Sequence, residues 1–148
     1  MLKGIDPVIS PDLLYGLAKM GHGENVVVVD RNYPPFSAGI PVVHLPGVDA
    51  PTAVKAICSL MPLDTFIESP LAAMEPVGET ELPAVTGEVQ AVAEAADSRP
   101  LKVRWVERFA FYAEARNASL MVSTGEARPY GCYILTKGVW PSFTPPQA

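Results

Sequence analysis

Residues 17–30 read LAKMGHGENVVVVD, and the rest of the chain is arranged around this stretch. Val26, Val27, Val28 and Val29 form an unbroken run of β-branched residues, which favours extended backbone. A short continuous apolar run of this kind predicts a strand covered on both faces, as in the parallel sheets of α/β proteins. Asp30 follows at its carboxyl end, where open α/β sheets collect ligand-binding groups. Upstream, His22 lies between Gly21 and Gly23, which opens backbone angles closed to other residues. Two readings follow. In one, His22 and Asp30 line a single pocket. In the other, Gly21 stops a helix, Asp30 caps a turn and His22 is a surface loop residue.

Working outward, Ser10-Pro11-Asp12 carries a helix start: a capping hydroxyl, a proline at the first helical position and an acid at the positive end. Leu13, Leu14, Leu17 and Ala18 give that helix one apolar face, and Gly21 is its expected stop. Residues 31–39, RNYPPFSAG, read as a loop leaving the strand beside Asp30. A second strand is expected over 41–45, a helix over 51–61, strands near 66–67 and over 71–75, and a helix over 83–96. A strand over 103–106, a short helix over 109–115, a strand over 118–124, a loop over 125–131 and a last strand over 133–136 complete the series. This alternation predicts an α/β layered fold: a central mixed or largely parallel sheet flanked by helices. The prolines are spread through turns and the C-terminal end rather than gathered in a linker. One domain over 1–148 is therefore expected, with 141–148 a Pro-rich tail.

Composition excludes several classes. No apolar run approaches the ~20 residues of a membrane helix. The N-terminus, MLKGIDPVIS, lacks the hydrophobic core of a secretory signal, so a cytoplasmic protein is expected. A net charge of −5 with no basic stripe argues against nucleic acid. Cys58 and Cys132 fit neither a disulfide framework nor a CxxC metal pattern. There is no GxGxxG after the first strand, no GxxxxGK[ST] and no GxSxG. The two histidines, His22 and His44, make a poor metal site, so no metal is expected.

What remains is a polar set at element ends and in loops: His22, Asp30, Asp64, Arg108, Tyr112 and Tyr130. Histidine can give and take a proton near neutral pH. Carboxylates, an arginine and tyrosine hydroxyls suit the hydroxyl groups of a small polar ligand. Each also has a plainer reading: Asp64 as a turn residue after Pro62, Arg108 as a surface charge beside Glu107, Tyr112 as a core aromatic. Spacing alone does not choose between them or name the ligand.

Four segments resemble, in order, those of the RbsD/FucU family of L-fucose mutarotases and D-ribose pyranases. They are SPDLLYGLAKMGHGENVVVVDRNYP, LMPLDTFIESP, VERFAFYAEAR and STGEARPYGCYILTKG. ERFAFY with Arg108 and PLDT with Asp64 are similar to the fucose branch. The resemblance implies an RbsD/FucU-like fold and a cofactor-free isomerase that interconverts the anomers of a free monosaccharide, most simply L-fucose. It implies His22 as proton donor, with Asp64 and Tyr112 in catalysis and Asp30, Arg108, Tyr130 and the position of Cys132 on the sugar. It also implies a homo-oligomer, decameric in some bacterial members, with pockets at or near subunit contacts. Two residues depart from the family pattern. Cys132 replaces the asparagine of Tyr-Gly-Asn, and a thiol is a weaker hydrogen-bonding group than an amide. Arg31 stands where a small or apolar residue is usual, and either adds a sugar contact or faces solvent. Cys132 keeps open a second reading, a family relative that binds a monosaccharide without turning it over.

Overall fold

The computed structural model describes residues 1–78 and 81–140; the expected tail, 141–148, lies outside them. Six strands form one sheet: β1 (Asn25–Val29), β2 (Val42–Leu45), β3 (Leu71–Met74), β4 (Val103–Val106), β5 (Leu120–Thr124) and β6 (Tyr133–Thr136). Their spatial order is β2-β5-β1-β6-β3-β4. Strands β1, β2 and β5 run parallel, as do β3 and β4, and β6 runs antiparallel between β1 and β3. The sheet is therefore mixed and largely parallel.

Helices α1 (Pro11–Lys19), α2 (Ala50–Cys58) and α3 (Ala84–Asp97) supply residues to the apolar layer on one face, where Val26 and Val28 pack with Leu13, Leu17, Ile57 and Val89. The other face carries α4 (Arg108–Ala115) and the loop after β1, where Val27 and Val29 pack with Phe111, Ala115, Met121 and Tyr33. All four valines are fully buried. Covering each stabilises the fold by about 1.5–3 kcal/mol relative to exposure. This is why β1 sits inside the sheet, between β5 and β6.

Caps follow the sequence. The Ser10 hydroxyl accepts the Leu13 N–H at 3.2 Å, with Pro11 in the first turn of α1. Helix α1 nevertheless ends at Lys19, before Gly21, with Met20 already extended and its side chain buried. The left-handed residue in this loop is Gly23, at φ +83°. Part of the loop over 31–39 winds into a 3₁₀ turn, Pro35–Ala38. The strand expected near 66–67 does not form. Phe66 is 76% exposed, and its N–H is taken by the Asp64 carboxylate at 3.1 Å, which closes a turn there. No helix among the described residues is long and apolar enough to cross a membrane.

Candidate active site

The parallel strands give the sheet two distinct edges, and the polar set divides between them. The amino edge holds His22, before β1, and Asp64, before β3. The His22 Nε2 lies 3.0 Å from Asp64 Oδ1, although 42 residues separate them in sequence. The loop carrying His22 is fastened from both sides. Glu24 accepts the Gly21 N–H and the Ser119 hydroxyl, and the Gly23 N–H donates to the Lys137 carbonyl at 2.9 Å. The Lys137 ammonium donates to the carbonyls of Leu17 and Met20 at the end of α1, where a cation is favoured. His22 itself stays open: its side chain is 45% exposed, with the Phe66 ring 5.1 Å away.

Asp64 is buried. Burial alone would raise its pKa, but the Phe66 N–H and His22 outweigh that and hold the carboxyl below its ordinary value. It is therefore an anion at neutral pH and can only accept. Nε2 must carry the proton between them, which leaves Nδ1 for another partner.

At the carboxyl edge stand Asp30, Arg108, Tyr112, Tyr130 and Cys132. Asp30 is buried, and its Oδ1 accepts the N–H groups of Asn32 at 3.0 Å and Tyr33 at 3.1 Å. It does cap a turn, and that capping also fixes the carboxylate. Its Oδ2 receives the Cys132 thiol at 3.5 Å. Cys132 is 1% exposed, and burial, then the Asp30 charge, push its pKa well up, so it stays a thiol and a weak donor. As placed, the sulfur touches Asp30 and presents no free surface.

Arg108 opens α4. Its Nε donates to the Tyr112 hydroxyl at 3.1 Å, one turn on. Glu107 caps the same helix by accepting the N–H groups of Phe109 and Ala110, and among the described residues no carboxylate forms an ion pair with the Arg108 guanidinium. Tyr112 is half-buried with its ring 5.3 Å from Tyr33, while its neighbour Phe111 is the fully buried core aromatic. A cavity of about 230 Å³ opens here, lined by Tyr33, Pro34, Ser37, Ala38, Tyr112 and Arg116. Tyr130 sits at φ +61°, unusual for a bulky residue, and its hydroxyl accepts the Val77 N–H at 3.2 Å.

The single pocket expected for His22 and Asp30 is not present within one chain. They flank opposite ends of β1, whose five residues at about 3.3 Å each put roughly 17 Å of strand between them. His22 joins Asp64, and Asp30 joins Cys132. Two side chains absent from the sequence reading also build the carboxyl edge. Tyr33 bridges Asp30 and Tyr112. Glu126, 3% exposed, organises the loop after β5: it accepts from Ala127 and Arg128, while its carbonyl accepts the Arg31 N–H. Burial of an acid in a loop has no local sequence signature; Tyr33, three residues after Asp30, was the more legible. Arg31 is exposed, and His44 lies exposed on β2 against Phe36. Among the described residues no three His, Cys, Asp or Glu side chains gather into a metal-holding group.

The model of the RbsD / FucU transport protein family matches residues 3–140. The chain belongs to this family. Within it, the chain is 42% identical to the L-fucose mutarotase of Actinobacillus pleuropneumoniae serotype 5b (strain L20) over 142 residues, covering 95% of this chain and 99% of that one. It is 40% identical to the fucose mutarotase of Homo sapiens over 144 residues, covering 93% and 94%. The crystal structure of the Streptococcus pneumoniae fucose mutarotase in complex with L-fucose superposes with a TM-score of 0.88 at 36% identity, covering 93% of this chain and 99% of that one. The RbsD/FucU fold expected from the sequence is thus the one observed.

Proposed function

We propose that this chain interconverts the α and β anomers of a free monosaccharide, L-fucose first, by general acid–base ring opening without a cofactor. The observation that carries the reading is the His22–Asp64 pair, an open imidazole held on a buried anion in a family whose relatives are named fucose mutarotases.

The reaction needs two proton transfers and no change of oxidation state. A base takes the proton of the anomeric hydroxyl, and its O–H electrons become the C=O bond. The bond from the anomeric carbon to the ring oxygen breaks, and an acid protonates that oxygen. The aldehyde rotates and the steps reverse on its other face. On closure the base returns its proton to the carbonyl oxygen and the acid recovers one from the ring hydroxyl, so each group ends as it began. We assign the donor to His22, through the nitrogen not engaged by Asp64, with Asp64 fixing the orientation of the ring. The Tyr112 hydroxyl, whose oxygen already accepts from Arg108, is assigned to the anomeric hydroxyl. Asp30, Arg108 and Tyr130 bind the other hydroxyl groups, and Cys132 serves by holding Asp30.

Because donor and binding groups occupy opposite edges, we assign the complete site to two copies of the chain: the amino edge of one against the carboxyl edge of another. Exposed aromatics at both half-sites support this, with Phe66 beside His22 at 76% exposure and Phe109 beside Arg108 at 69%. A cytoplasmic homo-oligomer is the setting proposed.

Saturation-transfer NMR on equilibrated α- and β-fucose tests the activity. Accelerated exchange between the anomeric signals is expected; sugar binding without acceleration would leave only the binding-protein reading. Cys132→Ala is expected to raise the half-saturating fucose concentration about threefold, the effect of one weak hydrogen bond, with the maximal exchange rate little changed. A collapse of that maximal rate would place Cys132 in the chemistry instead.

A further inference from the structure

Asp64 matters through where its carboxylate points, and the structure holds its backbone unusually completely. The Asp64 N–H donates to the Thr136 carbonyl at 3.0 Å, and the Gly138 N–H donates to Pro62 at 2.8 Å. From the other side comes the turn that ends α3. Ser98 takes the left-handed conformation there, at φ +54°, and presents its two neighbours to the Leu63–Asp64 backbone. The Asp97 carboxylate accepts the Leu63 N–H at 3.4 Å. The Arg99 guanidinium donates through Nη2 to the carbonyls of Leu63, at 3.3 Å, and Asp64, at 3.0 Å. Asp97 and Arg99 are themselves paired, Nε to Oδ2, at 2.5 Å. Gly138 closes the remaining space: a Cβ there would stand 2.5 Å from the Leu63 carbonyl oxygen and 2.9 Å from the Asp64 Cα.

We propose that Arg99, together with Asp97, is a positioning residue for the anomer exchange, acting through the Leu63–Asp64 backbone to keep the Asp64 carboxylate on His22. The inference rests on the His22–Asp64 reading above. Neither residue belongs to the set proposed to bind the sugar. Both act at the amino edge, away from Asp30, Arg108 and Tyr130, so their loss changes the proton-transfer geometry and spares the binding half-site. A guanidinium suits the task because its rigid fork meets Asp97 and two carbonyls at once, which an ammonium does less completely. Small displacements of a catalytic group are costly in rate.

The test uses the full chain and a fucose concentration series by saturation transfer, with thermal unfolding in parallel. Arg99→Met keeps the length of the side chain and removes its donors. It is expected to lower the maximal exchange rate about tenfold while the half-saturating concentration stays within about twofold. Arg99→Lys restores part of the contact and is expected to lose about threefold, again in rate only. If the methionine variant does not fold, the lysine variant decides by the same split. Equal changes in rate and half-saturation, or a rate loss that merely follows the unfolded fraction, would overturn the positioning role. So would a wild-type rate in Arg99→Met while His22→Ala is slow. If His22→Ala is also as fast as wild type, the His22–Asp64 reading falls and takes this inference with it.

Discussion

Replacing His22 with alanine is expected to slow anomer exchange about 10²-fold or more, the scale of a lost general acid. The fold should survive. His22 is nearly half exposed, its loop is fastened by Glu24 and Lys137, and no backbone bond of that loop depends on its ring. Asp64 loses one partner and keeps the Phe66 N–H, so the expected stability loss is about 1 kcal/mol. Fucose binding should persist, because the groups proposed to bind its hydroxyls stand at the other edge. Exchange measured by saturation transfer, alongside binding by titration, separates these effects. A variant that binds fucose and exchanges it at the wild-type rate would remove His22 from the mechanism.

The second large effect concerns the scaffold. Gly125 follows β5 and begins the loop that leads to Tyr130 and Cys132, and its N–H donates to the Val48 carbonyl at 2.8 Å. A Cβ at this position would stand 2.1 Å from the carbonyl oxygen of Pro46, a backbone atom with no side-chain rotamer to relieve the contact. Gly125→Ala must therefore separate the β2 and β5 connections, at an expected cost of about 3 kcal/mol. That is a large share of the stability of a domain this size. Urea unfolding should show a midpoint well below wild type, with lowered fucose affinity because the loop carries Tyr130. An unchanged midpoint would mean that the two loops can part freely, and the close packing of the carboxyl edge would be wrong.

How much of this was legible in the sequence depends on the range of each interaction. The valine run, the Ser10-Pro11-Asp12 cap and the place of Asp30 at a strand end are local features, and each formed as read. Two apolar residues, Phe66 and Ile67, suggested a strand, but nearby Asp64 takes the Phe66 N–H and turns the chain outward. The pairing of His22 with Asp64, and of Asp30 with Cys132 across 102 residues, depends on strand order, which no local pattern encodes. A pocket shared by His22 and Asp30 of the same chain conflicts with the sequence itself. A strand holding four valines is too long to let the residues beyond its two ends meet. The glycines around His22 suggested presentation to a ligand, and they say nothing about which edge it faces. Arg99 and Glu126 carry no local signal, because an arginine near a helix end and an acid in a loop are ordinary surface residues until the tertiary structure buries their partners.

The central claim is that one sugar site is assembled from His22 and Asp64 of one copy and Asp30, Arg108, Tyr112 and Tyr130 of another. Subunit mixing tests it most directly. His22→Ala and Asp30→Asn chains, each nearly inactive alone, are unfolded together, refolded and assayed for fucose anomer exchange. If the site lies between copies, some contacts in the mixed assemblies join an intact His22 edge to an intact Asp30 edge, and the mixture regains a clear share of wild-type exchange. If each site lies within one chain, every site carries a defect and the mixture stays as slow as its parts, which would contradict the account.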